Sequence, residues 1–194
     1  MGARLRITVI VGSTRDGRVG DAIAQWFVDR AKQRGDLEID VLDLAEFDFP
    51  DRYPEEATPQ MTMFTTAVDR ADGYVVVTPE YNRSFPASLK QAIDYAYDEW
   101  HAKPVGFVSY GCRSRGHYAV EALRVVFTEL HTMAVRDEVA IDLLAVRGDG
   151  TPRDRDVLEA AVTTMLDQLT WWGHALREAR AARPYLARTK GERP

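Results

Sequence analysis

Residues 5–20 read LRITVIVGSTRDGRVG. From Leu5 to Val11 the chain is β-branched and apolar almost without a break, the pattern of a parallel strand covered on both faces. Gly12 stops that run. A loop with two small hydroxyls (Ser13, Thr14), two guanidinium groups (Arg15, Arg18) and two further glycines (Gly17, Gly20) follows. Beyond it Ile23, Trp26, Phe27 and Ala31 recur at helical spacing over residues 20–34, giving one apolar helix face. Strand, glycine-rich loop and amphipathic helix in that order open a βαβ unit.

The same alternation repeats along the chain. LEIDVLDL (37–44), GYVVVTP (73–79), KPVGFVSYG (103–111) and MAVRDEVAI (133–141) predict four more strands. Helices are expected over 61–71, 86–98 and 118–131. A last helix from about residue 153 carries Val157, Leu158, Ala161, Val162, Met165, Leu166, Leu169 and Trp172 as its core stripe. Thr151 is its candidate N-cap, with Pro152 at the first helical position. Five rounds of strand and helix predict a doubly wound parallel sheet. Ligands of such sheets bind beyond the carboxyl ends of the strands, which singles out GSTRDGRVG (12–20), TPEYNRSFP (78–86) and SYGCRSRGH (109–117). The acidic, proline-rich stretch 45–59 is the one long irregular loop.

The chain has 194 residues, 45% hydrophobic and 28% charged, the profile of an ordinary globular protein. We expect a single domain over residues 1–185 and a flexible basic tail over 186–194. Between Arg177 and the C-terminus six basic residues (Arg177, Arg180, Arg183, Arg188, Lys190, Arg193) face two acidic ones (Glu178, Glu192), a pattern that suits a solvated helix end. The formal net charge of −5 argues against nucleic acid as a partner, because nucleic-acid binders carry a basic footprint. Neither a cleavable leader nor a membrane-length apolar run is visible, so no membrane partner is expected. A lone cysteine, Cys112, allows no internal disulfide and no cysteine-rich metal site, which fits a reducing, cytoplasmic setting. Cys112 reads as a small packing residue, and His101, His117, His131 and His174 fall in different elements and are given no chemistry.

The first loop is suited to an anion. Gly12 and Gly17 have the spacing of a Walker A loop, but Arg18 and Val19 stand where Lys and Ser or Thr are needed, and Val cannot ligate Mg²⁺. The dinucleotide pattern G-x-G-x-x-G is absent, because Ser13 and Thr14 follow Gly12. Without it, Asp40 and Asp43 at the end of the second strand read as exposed acids. Two readings stay open. In one, helix-start N–H groups, hydroxyls and guanidinium forks hold a phosphate monoester; in the other, the arginines of an ordinary turn face water. In the second loop Pro79 ends the strand, Tyr81 offers an aromatic face and Asn82 offers both a donor and an acceptor, a combination that suits a flat heteroaromatic ring.

Taken together, GSTRDGRVG, TPEYNRSFPASLKQAIDY and KPVGFVSYG resemble the three signature regions of the NAD(P)H-dependent FMN reductase family, from about residue 5 to 140. The resemblance implies a flavodoxin-like three-layer α/β sandwich, with a five-stranded parallel sheet in the order 2-1-3-4-5 and helices on both faces. It implies FMN as cofactor, with Ser13, Arg15, Arg18, Val19 and Gly20 on the phosphate and the Thr14 hydroxyl beside them. It also implies that Pro79, Glu80, Tyr81 and Asn82, with Ser109, Tyr110 and Gly111, surround the isoalloxazine ring. The resemblance further implies NADPH or NADH as the hydride donor and a small molecule (free flavin, quinone, azo compound or chromate) as the acceptor. No metal and no catalytic side chain are expected, since the flavin carries the chemistry. A homodimer or homotetramer is implied. The chain departs from the family after Gly111, where Cys112–His117 replace small residues; Arg113 and Arg115 are candidates for the 2′-phosphate of NADPH. The rival reading is a flavodoxin-like electron carrier with no nicotinamide turnover, and a flavin sensor is a third.

Overall fold

The computed structural model describes residues 4–185; the expected basic tail, 186–194, lies outside the described residues. Strands β1 (Leu5–Val11), β2 (Leu37–Asp43), β3 (Gly73–Pro79) and β4 (Pro104–Gly111) alternate with helices α1 (Gly20–Ala31), α2 (Pro59–Arg70), α3 (Ala87–Asp94) and α4 (His117–Glu129). Two short strands, β5 (Met133–Ala134) and β6 (Val139–Asp142), precede the long helix α5 (Arg155–Ala182). All pairings are parallel, and the order is β2-β1-β3-β4-β5, with β6 also on β4. This is the expected 2-1-3-4-5 sheet. Among the described residues no helix is long and apolar enough to cross a membrane.

Side-chain alternation sorts the core into two layers. On β3, Val75 and Val77 pack with Ile23 and Phe27 of α1 and Met165 and Leu169 of α5. Tyr74 and Val76 turn the other way, toward Phe64 of α2, Leu89 of α3 and Leu123 of α4. Every residue of β3 and β4 is buried, as the near-continuous apolar runs require.

Three local expectations need correction. The fifth strand is broken: Arg124 draws off the carbonyls of Val135 and Arg136, and Asp137 N–H goes to the Gln168 side chain, so these groups leave the ladder before Val139 resumes it. The third helix ends at Asp94, not at 98, because the Trp100 indole turns inward and donates to the carbonyls of Ile93 and Ala96. Finally, the last helix starts at Arg155 with Asp154 as N-cap. Thr151 gives its N–H and hydroxyl to Asp149, and Pro152 bridges to Val146, so neither opens the helix.

Lys103, 5% exposed, ties the end of α2 to the start of β4 by donating to the carbonyls of Val68 (3.0 Å) and Asp69 (2.7 Å). Burial pulls its pKa down to about 8. Since the folded value lies below the unfolded one of about 10.4, the unfolded chain binds the extra proton between them. Stability contributed by Lys103 therefore rises as pH climbs from about 8 toward about 10.4. Urea titrations across that window should show wild type gaining on Lys103→Met as pH increases; a constant gap would refute the assignment.

Candidate active site

The sheet register brings the three loops to one edge. Val11 pairs with Val77, Pro79 with Tyr110, and Gly111 with Asp142, so the chain leaves β1, β3, β4 and β6 at nearly the same level. The segments beyond line a cleft of about 470 Å³, within the usual range for a cofactor or substrate pocket. Arg15, Arg18, Val19, Pro79, Glu80, Tyr81, Asn82, Tyr110, Gly111 and Arg113, all expected from sequence, are on its wall.

The first loop begins with a close approach. Gly12 N–H bonds to Val77 O (2.8 Å), and a Cβ at Gly12 would lie 2.9 Å from Leu89 Cδ2 of α3. At the other end a Cβ at Gly20 would overlap Ser13 Oγ and fall 2.5 Å from the Tyr110 hydroxyl. Glycine is required there because two hydroxyls crowd the start of α1. That helix has no side-chain cap. Among the described residues the backbone N–H groups of Ser13, Thr14, Arg15, Val19 and Gly20 meet no protein acceptor. Such a set of free donors, reinforced by the helix dipole, forms an anion site. Ser13 is buried beside Tyr110 without a well-formed hydrogen bond of its own. Burial pushes the Tyr110 phenol up to about 12, against smaller opposing effects of Ser13, Arg18 and Arg15. It therefore stays a neutral donor across the physiological range.

Arg15 and Arg18 differ in their surroundings. The Arg15 guanidinium lies 5.5 Å from the centre of the Tyr81 ring, bridging the first and second loops. Arg18 points instead to Asp43 at the end of β2, with bonds of 2.6 and 2.5 Å. Asp43 is thus not the exposed acid expected from sequence: its side chain is only 16% exposed. Thr14 Oγ1 donates to Ser88 Oγ (3.3 Å) at the start of α3, which holds the loop from the other side.

In the second loop, Tyr81 and Ser84 exchange backbone hydrogen bonds of 2.8 and 2.9 Å around Asn82 and Arg83, both with positive φ (51° and 64°). That is the backbone a type I′ turn needs; Asn tolerates it and Arg does not adopt it readily. The Arg83 guanidinium rests 3.9 Å from the centre of the Tyr118 ring. Glu80 does more than line the cleft. Its carboxylate accepts from Ser114 Oγ (2.5 Å) and from Tyr118 N–H (3.1 Å), so it caps α4 from a distant loop and locks the second and third loops together. Ser109 is fully buried and spends its hydroxyl on the Arg115 carbonyl (2.9 Å).

Ser13, Thr14, Gly20, Ser109 and Arg115 are not among the residues of the cleft wall. Arg83, Cys112, Ser114 and Leu143 are wall residues that sequence reasoning missed. Cys112 is exposed at the rim, not packed inside, because the buried part of β4 ends one residue earlier. The signal for Arg83 was its place beside Asn82 in a turn. Leu143 offered none, since it reaches the cleft only through the register of β6.

This architecture is that of the flavodoxin-like flavoenzymes. The chain superposes on FerB, an NAD(P)H:acceptor oxidoreductase from Paracoccus denitrificans, with a TM-score of 0.73 over 86% of this chain and 98% of that one, at 22% identity. It belongs to the NADPH-dependent FMN reductase family, which it matches over residues 5–144. An NAD(P)H-dependent FMN reductase from Nectria is 37% identical over 55% of this chain and 59% of its own length. A second, from Schizosaccharomyces pombe, is 35% identical over 62% and 64%. The chain thus spans about three fifths of these relatives. An FMN-dependent NADPH-azoreductase from Staphylococcus haemolyticus is 31% identical over 68% of this chain and 74% of that one.

Replacing Glu80 with Ala removes the α4 cap and the Ser114 link together. We expect a loss of about 1–2 kcal/mol, read as a lower urea midpoint with an unchanged m-value; no change would mean that the cap is redundant.

Proposed function

We propose that this chain binds FMN in the cleft and catalyses its reduction by NAD(P)H, passing the electrons to a small acceptor such as a free flavin, quinone, azo compound or chromate. One observation carries the reading: acceptor-free N–H groups opening α1 sit at the same sheet edge as a cleft walled by Tyr81 and Tyr110. FMN fits this donor set, as a terminal phosphate needs several donors and a flat ring needs apolar faces with polar edges. The N–H groups of the first loop and Arg15 would hold the phosphate, while the Thr14 hydroxyl ties the loop to Ser88. The backbone of Pro79–Asn82 and of Ser109–Gly111 would edge the ring, with the Tyr110 hydroxyl as a neutral donor. FMN held there would supply the redox chemistry between the nicotinamide and the acceptor.

The protein's own part is binding and orientation. Glu80 keeps the second and third loops in register, and Arg83 and Arg113 give the mouth a positive field that suits the phosphates of a nicotinamide dinucleotide. Arg113 lines the cleft whereas Arg115 does not, so Arg113 is the better reader of a 2′-phosphate. A homodimer or homotetramer in the cytoplasm completes the reading; the family resemblance supports the first and the single cysteine supports the second.

The decisive measurement is the visible spectrum of the purified protein before and after anaerobic NADPH. A bound flavin that bleaches, with sustained NADPH oxidation when a quinone is added, is expected. Bound flavin without turnover would favour the electron carrier. Arg15→Ala should weaken FMN by about ten- to a hundredfold, the worth of a charged hydrogen bond, with little change for riboflavin. Arg113→Ala should lower kcat/KM for NADPH well below its effect on NADH, and Arg115→Ala should not; equal losses with both nucleotides would remove Arg113 from that role.

A further inference from the structure

The family resemblance assigns Arg18 to the phosphate, but the geometry points to a different task. Its Nη1 donates to the Ser13 carbonyl (2.7 Å) and to Asp43 Oδ1 (2.6 Å), and its Nη2 donates to Asp43 Oδ2 (2.5 Å). Three of the five guanidinium donors are thereby used within the protein. Both side chains are largely shielded, at 17% and 16% exposure. Asp43 is itself fixed: it ends β2 opposite Val11, and its Oδ1 also accepts Ala45 N–H (3.1 Å).

We propose that Arg18 and Asp43 form a brace that shapes the phosphate loop, so that Asp43 is a positioning residue for FMN and Arg18 is not a phosphate ligand. This rests on the FMN reading above. In a planar trans peptide the C=O and the following N–H point in opposite directions. Pinning the Ser13 carbonyl toward Arg18 therefore turns the Thr14 N–H to the far side, where it meets no protein acceptor. The brace closes the loop between Ser13 and Arg18 and anchors it to β2. It also cancels the charge of Arg18, leaving Arg15 as the loop's phosphate-facing cation.

The two roles predict opposite signs for one substitution. If Arg18 were a phosphate ligand, Asp43 would compete with FMN, and Asp43→Asn would tighten binding. As a brace, Asp43→Asn weakens FMN. The test is titration of FMN and riboflavin, by quenching of flavin fluorescence, into the full-length wild type, Asp43→Asn, Arg18→Ala and the double variant. We expect each single variant to lose about tenfold in FMN affinity, the double variant to lose no more than Arg18→Ala alone, and riboflavin affinity to move much less. FMN affinity that is unchanged or tighter in Asp43→Asn overturns the brace. Equal losses for FMN and riboflavin also overturn it, because they report a damaged cleft and not a damaged phosphate loop. A wild type that does not prefer FMN to riboflavin would sink the FMN reading itself, before any variant is compared.

Discussion

A parallel strand buried on both faces commits every backbone N–H and C=O to its ladder, and the rest of this structure follows from that constraint. With β3 and β4 buried along their whole length, the chain can offer free backbone donors only past the strand ends. The register sets those ends level, so the unsatisfied groups of separate loops gather at one edge. The cleft is the place where the sheet's hydrogen bonding stops.

Holding such an edge open needs bonds between loops that are remote in sequence, and charged side chains provide them. Asp43 holds the first loop through Arg18, and Glu80 holds the third through Ser114 and the start of α4. Both carboxylates are spent on architecture; Asp43 is neutralised by Arg18, and on the cleft wall Arg15, Arg83 and Arg113 outnumber Glu80 in a chain whose overall charge is negative. Arg83 takes up an unfavourable left-handed backbone, a strain of about 1–2 kcal/mol. Gly would fit that turn better but would carry no charge to the cleft.

Much of this was legible in the sequence. Unbroken apolar runs marked the strands, and because those runs had to be covered on both sides they also implied the layers. The same-edge placement of GSTRDGRVG, TPEYN and SYGCRSRGH followed from the winding rule alone. What escaped depends on register and on side-chain partners far along the chain. Asp43 looked like a solvent-facing acid because nothing in its own neighbourhood announces Arg18, 25 residues earlier. The break in the fifth strand lay hidden because MAVRDEVAI has strand composition; the reason for the break, Arg124 and Gln168, sits on two separate helices. Thr151 had the right identity for a cap but was taken by Asp149.

The exposed position of Cys112 has a practical side. It is the sole cysteine of the chain and stands on the rim of the cleft. A thiol-directed dye or spin label would attach to the native sequence at one place only, with no background to engineer away. Placed there, it would sense occupancy of the cleft, turning a chance residue into a built-in reporter.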